Sequence, residues 1–262
     1  MQKLRSITAV LDESSNPAAV LDKAEALARR FEARVELLRV FPRSGRRLES
    51  PVLRHVRERN TDLVIKARAG THPVRRATLA ENDWSLSQQC PVPLMLVTDR
   101  PWSKVLRLAA AVDVSEIDTL PVARAVMQAA GFLALGCHGC LDILYTEREG
   151  RDDVLRMERA VRLAQLVREF HVGCERLQMF DGDPERRLPP LFAARQYDVL
   201  LLGAVTHRSG LLDSLCSLTS RLVDATPGDV VLVNPDRPLA REELAAGGSA
   251  GEKVPHQGHQ FV

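Results

Sequence analysis

Two stretches of the chain occur twice in the same order, and a duplicated pattern of this kind restricts the fold to a few architectures. SITAVLDES closes an apolar run at Asp12 and is followed by TDLVIKARAGTH and PVPLMLVTDRP. RLAAAVDVSE closes another at Asp113 and is followed by YDVLLLGAVTH and GDVVLVNPDRP. The interval from Asp62 to Val97 is 35 residues, and so is that from Asp198 to Val233. A short apolar strand ending in Asp, then two buried strands at a fixed interval, reads as two copies of one α/β unit.

The copies differ in length. Asp12 to Asp62 spans 50 residues and Asp113 to Asp198 spans 85, so the second copy holds 35 residues that the first lacks. A strand and a helix with their turns take about 35 residues, on the order of one βα unit. The first copy is therefore expected to lack one helix and one strand.

Strands separated by helices imply parallel pairing with right-handed crossovers. In the first copy the strands are LRSITAVLD, VELLRVF, DLVIKA and PLMLVTD. Between them, AAVLDKAEALARRFEA repeats apolar residues at three and four, PVLRHVRERN follows a Pro/Arg/Gly linker, and a further helix is expected near DWSLSQQC. The second copy carries five strands, VLRLAAAV, LDILYTE, RLQMFDG, DVLLLGA and DVVLVNP. Its helices fall near TLPVARAVMQAAGFLA, DDVLRMERAVRLAQLVREFHV, RRLPPLFAARQ and SLTSRLVDA. The expected organisation is a trimmed domain over 1–101, a complete one over 102–239, and a flexible tail over 240–262, where Gly, charged and polar residues replace periodicity.

With 262 residues, 45% hydrophobic and 27% charged, the chain can bury one large core or two small ones. A net charge of +2 does not argue for a polyanionic partner. Arg43, Arg46, Arg47, Arg54, Arg57, Arg59, Arg75 and Arg76 cluster without interleaved aromatics to stack bases, which reads as a solvated face and not a nucleic-acid site. The start of the chain has no signal-peptide pattern, and no apolar run approaches the roughly 20 residues that span a bilayer. Five cysteines without framework spacing fit a reducing compartment. The expectation is a cytoplasmic protein without a membrane partner.

The order of elements, the Asp closing the first strand of each copy (VLDES and AVDVS), the DLVIKA and DVLLLGA strands and the closing PVPLMLV and DVVLVNP strands resemble the universal stress protein family in its tandem form. The resemblance covers about residues 3–236. It implies an α/β fold of two tandem adenine-nucleotide-alpha-hydrolase-like domains, each a five-stranded parallel sheet with helices on both faces, the first truncated, packed as a pseudo-dimer.

Nucleotide-binding members carry, after the fourth strand, a glycine, a second glycine three residues on, and a Gly-Ser pair after a nine-residue spacer. Glycines let backbone amides approach phosphate oxygens, and the next helix N-terminus adds its dipole. Here Gly203 matches the first glycine, Thr206 replaces the second, and Cys216-Ser217 stands for the pair. Side chains on Thr206 and Cys216 crowd a triphosphate, while Ser217 and Thr219 could cap the helix and offer hydroxyls to a ligand. In the first copy Lys66 or Ala67 occupies the first-glycine position, so no nucleotide is expected there.

Asp113 ends a first parallel strand, where open α/β sheets bind ligands, and the resemblance implies contact with a base or ribose. Asp113 and Ser115 could equally shape the strand-to-helix turn. Cys137 and Cys140 have the C-x-x-C spacing of half a zinc site, and His171 with Cys174 could supply the rest; buried thiols and loop histidines around a turn explain them better. His72 and His207 follow Thr in equivalent loops, but no nucleophile elbow, intact phosphate loop or zinc-protease motif is present, so no catalytic residue is assigned.

The reading is a stress-response module that binds and does not turn over. Its second domain would hold ATP or another nucleotide-like, phosphate-bearing ligand through Asp113, Ser115, Gly203, Thr206, Ser217 and Thr219. The alternatives are a ligand-free scaffold for protein partners and a weak nucleotide hydrolase. Two chains could also pair as a homodimer through their last strands, natural edges with Pro91, Pro93 and Pro235 nearby to limit pairing.

Overall fold

The structure is a computed structural model that describes residues 4–12, 16–40, 49–68, 83, 85–147, 153–170, 173, 175–204 and 212–235, with the backbone alone at 49–50 and 212–217. The first half contains β1 (Ser6–Leu11), α1 (Pro17–Phe31), β2 (Arg34–Arg39), α2 (Glu49–Arg59), β3 (Leu63–Ala67), a short α3 (85–89) and β4 (Leu94–Val97). The second contains β5 (Arg107–Ala111), α4 (Leu120–Cys137), β6 (Cys140–Glu147), α5 (Asp153–Glu169), β7 (Arg176–Asp181), α6 (Pro184–Ala194), β8 (Val199–Gly203), α7 (Leu212–Ala225) and β9 (Asp229–Val233).

Local sequence accounts for the element boundaries. Asn16 caps α1 by accepting from Ala18 N at 3.2 Å, Pro17 fits the first turn, and Glu32 closes the helix in the left-handed region at φ 54°. Val20, Lys23, Ala24 and Leu27 fall on its buried face at helical spacing. β1, β3, β4 and β9 are buried along their whole length, as strands covered on both faces must be.

The nine strands among the described residues form one sheet in the order β2-β1-β3-β4-β9-β8-β5-β6-β7. Every pairing is parallel except β4 with β9, where Leu94 faces Leu232 and Leu96 faces Val230. The last strands of the two halves thus join head to tail and relate the halves by a local twofold. This corrects the expectation that those strands are free edges for a second chain: each is consumed inside the molecule. The halves share one sheet in place of two separate ones.

The size difference between the copies is visible in the topology. Between β6 and β8 the chain runs through α5, β7 and α6, whereas among the described residues between β2 and β3 it passes only through α2. One strand and one helix are missing from the first half. β7 covers β6, and β2 is left as the outer strand, with Arg34, Leu37 and Arg39 exposed. Charged residues on an edge strand discourage further pairing.

One core layer packs α1, α4 and α5 on the sheet through residues such as Leu27, Val126 and Leu163. The other packs α2, α6 and α7 through Val56, Phe192 and Leu222. Ile117–Cys137 is long and apolar enough to cross a membrane by composition, which the sequence reading did not anticipate, but half of it is buried in the first layer.

The repeated Asp before the equivalent strands β3 and β8 is structural. Asp62 Oδ2 accepts from Arg5 N and Ser6 N at 2.8 and 3.0 Å. Asp198 accepts from Arg107 N at 2.8 Å and from Ser103 N and Oγ at 3.0 Å. Each carboxylate satisfies amides where the first strand of its half begins.

The seam between the halves turns on Asp229. Its carboxylate is buried and accepts from Lys23 Nζ at 2.8 Å, Thr98 N at 2.7 Å, Thr98 Oγ1 at 3.0 Å and Trp102 Nε1 at 2.7 Å. Arg68 of the first half donates to Val223 O and Thr226 O at 2.8 and 2.6 Å, capping the C-terminal turn of α7 in the second. Burial lowers its pKa from the ordinary guanidinium value. Phe31 and Phe132 stack with centroids 4.9 Å apart where α1 meets α4.

Candidate functional site

Both halves place an Asp just beyond the C-terminal end of their first strand, beside an equivalent neighbouring strand: Asp12 near β3, Asp113 near β8. Strand order reverses there, with β5 flanked by β6 on one side and β8 on the other, and such crevices are where open α/β sheets take ligands. The two crevices are built differently.

In the first half the crevice is filled. Lys66 Nζ lies 2.9 Å from Asp12 Oδ2 and 2.9 Å from Asp83 Oδ1, and donates to Ala67 O at 3.1 Å. The side chains of Lys66, Asp12 and Asp83 are 1%, 4% and 6% exposed. Burial by itself would lower the lysine pKa; Asp83 and Asp12 outweigh it and hold the ammonium above its ordinary value. Lys66 is therefore a fixed cation.

In the second half the corresponding strand position is Leu202, buried and apolar. Asp113 is half-buried and makes no ion pair among the described residues; its Oδ1 accepts from Ser115 N at 2.9 Å. Thr119 Oγ1 donates to Asp113 O at 3.0 Å, and Arg162 reaches Ser115 O at 3.1 Å from α5. The strand-to-helix turn is thus braced on both sides, and Asp113 and Ser115 do shape it.

Gly203 has a packing explanation. A Cβ there would lie 2.1 Å from Val122 Cγ1, so α4 can approach β8 only over a glycine. Gly203 and Thr219 are brought together: Thr219 Oγ1 donates to Gly203 O at 3.3 Å from a buried position on α7. Thr219 does not cap that helix. α7 begins at Leu212, so positions 217 and 219 are interior turns, which corrects the capping role expected for Ser217 and Thr219.

Side chains that no motif singled out gather at the end of β6. Glu147 is buried and ion-paired with Arg159 of α5, and Tyr145 lies beneath them. Burial is the main cause that pushes the Tyr145 phenol up to about 12. The hydrogen bond that Arg159 donates to Glu147 raises the Arg159 pKa. The legible signal was LDILYTE itself, a buried strand that ends in ionisable residues.

Cys137 is buried at the end of α4, His138 takes the left-handed cap at φ 48°, and Cys140 starts β6. Burial raises the Cys137 thiol, and a hydrogen bond with Glu175 raises that of Cys140. Neither is poised as a thiolate. Among the described residues no group of three or more His, Cys, Asp and Glu could hold a metal. Thr206, His72, His207, His171, Cys174, the 240–262 tail and the side chain of Ser217 lie outside the described residues.

No protein-family model matches the chain. A universal stress protein E homologue of Haemophilus influenzae is 23% identical over 186 residues, covering 64% of this chain and 60% of that protein. Universal stress protein E of Escherichia coli is 21% identical over 203 residues, covering 70% and 64%. The chain spans less than two thirds of the length of these curated relatives.

Among solved structures, a universal stress protein of Pseudomonas aeruginosa superposes with a TM-score of 0.71 at 19% identity, covering 89% of this chain and 94% of that one. One from Archaeoglobus fulgidus gives 0.59 at 16%, covering 88% and 97%. The chain is thus similar in sequence to universal stress protein E over about two thirds of its length and shares the fold of solved universal stress proteins.

Proposed function

We propose that this chain is a universal stress protein and a cytoplasmic stress-response module that works by binding and not by turnover, with one ligand-responsive half. The ligand is nucleotide-like or phosphate-bearing and sits outside the C-terminal ends of β5 and β8. The observation that carries this reading is the asymmetry between Asp12, clamped by Lys66, and Asp113, half-buried and unpaired among the described residues.

Asp113 offers an acceptor for ribose hydroxyls or an exocyclic amine, and the Ser115 hydroxyl lies on the same turn. Gly203 and Thr219 support this crevice through packing and their mutual hydrogen bond more than through direct contact. Thr206 and Ser217 complete the proposed set. No residue is assigned a catalytic role.

Thermal shifts against ATP, AMP and nucleotide sugars, with wild type and Asp113→Ala, test the reading. It predicts a shift for at least one nucleotide that Asp113→Ala abolishes while leaving the fold intact by circular dichroism. Released phosphate that depends on Asp113 would instead make the chain a hydrolase. No shift with any nucleotide would favour a ligand-free scaffold, the reading that the exposed Val154, Met157 and Val161 on α5 support.

A further inference from the structure

Arg68 leaves the end of β3 in the first half and reaches into the second. Its Nη1 donates to Val223 O at 2.8 Å, to Thr226 O at 2.6 Å and, more weakly, to Gly228 O at 3.4 Å. These carbonyls belong to the last turn of α7 and the turn that follows it. A helix leaves its last four carbonyls without intrahelical donors, and Val223 and Thr226 are buried, where water is a poor substitute. A guanidinium there also opposes the negative end of the helix dipole.

The contact runs in one direction. Arg68 N donates to Val97 O and Ala204 N to Val233 O, both at 2.8 Å, so Ala204 is the equivalent of Arg68 in the second half. A methyl group has no donor to offer a helix of the first half. At this position the first half holds a helix of the second without being held in return.

The helix so held is the one that follows β8. Thr219 ties its interior to Gly203 O at 3.3 Å, at the edge of the Asp113 crevice. Leu222 packs it into the core layer, and Arg221 pairs with Glu185 of α6 at 2.5 Å, both contacts within the second half. With 14 residues α7 is about 21 Å long, so a hold on its end is carried along a stiff element to the turns beside Gly203.

We propose that Arg68 is a positioning residue for the crevice of the second half: from the first half it fixes the end of α7 and, through that helix, the turns that face Gly203. The first half, its own crevice filled by Lys66, thus serves as the frame against which the second is set. The consequence for nucleotide affinity rests on the proposed function, whereas the hold on α7 does not.

Native-state hydrogen exchange and ATP titration of the full chain test this, with wild type, Arg68→Met, Arg68→Lys and Asp62→Ala. Loss of charge-assisted bonds to buried carbonyls should raise both the exchange of amides in 212–219 and the Kd for ATP by about tenfold in Arg68→Met. Arg68→Lys, which keeps a cation, should lie between Arg68→Met and wild type. Asp62→Ala, which weakens the first half elsewhere, should change neither readout. Faster exchange confined to 222–227, or spread evenly over the strands of the sheet, would overturn the proposal, as would an ATP Kd unchanged in Arg68→Met. Wild type that binds no ATP would sink the nucleotide reading and leave the exchange of 212–219 to decide this one. If Arg68→Met does not fold, exchange in Arg68→Lys decides by the same patterns.

Discussion

Lys66 in β3 stands at the position that Leu202 occupies in β8: Lys66 pairs with Leu96 and Leu202 with Leu232, in the two strands that meet at the seam. One exchange between a cation and an isobutyl group separates a filled crevice from one whose Asp113 faces no lysine. The duplicated fold supplies two equivalent positions, and the side chains placed at them differ in charge and polarity.

Asp229→Asn should destabilise the whole chain. The carboxylate loses its charge opposite Lys23, which stays buried, while Thr98 and Trp102 lose a charged acceptor. Breaking a buried pair from one side costs about 3–5 kcal/mol. Urea denaturation followed by Trp fluorescence measures this; a loss below about 1 kcal/mol would show that the seam does not depend on Asp229.

Asp62→Ala and Asp198→Ala should behave alike, because each deprives amides at the start of a first strand of their acceptor. A fully buried donor left unsatisfied costs about 1–3 kcal/mol, and these exposed or part-buried donors put the loss at the low end of that range or below it. Denaturation midpoints of both variants check the equivalence, and ligand affinity should be unchanged in Asp62→Ala.

Gly203→Ala should be destabilising, since the new methyl group would meet Val122 Cγ1 at 2.1 Å. Val122→Ala should relieve part of that cost, giving a coupling of about 0.5–3 kcal/mol in a double-mutant cycle. Independent, additive effects would mean that the glycine serves the loop beyond it and not the approach of α4.

Alkaline pH should weaken the fold through Tyr145. Its folded pKa, raised to about 12, lies above the unfolded value near 10, so the unfolded state releases the proton first. The contribution is complete below about pH 10 and is lost as pH rises toward 12. Tyr145→Phe should flatten the decline in urea midpoint between about pH 9.5 and pH 11.5; an unchanged slope would exclude Tyr145 as its source.

The features legible in the sequence were those that a period or a length difference records. Asp12 and Asp113 marked the ends of first strands, and the 35 residues present between Asp113 and Asp198 but not between Asp12 and Asp62 appear as β7 with a helix. The pairing of β4 with β9 was hidden because nothing in an apolar strand states which edge it will meet. Pro91 and Pro93 read as blocks to pairing, yet they precede β4 and leave Leu94–Val97 free to join the seam.

The site was only half legible. Gly203 was found as a motif glycine, but its reason, the side chain of Val122 on a distant helix, has no local signature. Lys66 did carry a signal. A lysine inside DLVIKA, flanked by apolar residues on a strand buried at every position, must find carboxylates, and Asp12 and Asp83 are those partners. The sequence placed the last helix of the second copy near SLTSRLVDA with Ser217 and Thr219 as caps, whereas α7 already begins at Leu212.

The most direct measurement is the stoichiometry of nucleotide binding by equilibrium dialysis of purified full-length chain, with wild type and Asp113→Ala run in parallel. A filled first crevice and a responsive second one predict one nucleotide per chain, lost in Asp113→Ala. Two nucleotides per chain, or one that survives Asp113→Ala, would contradict the account.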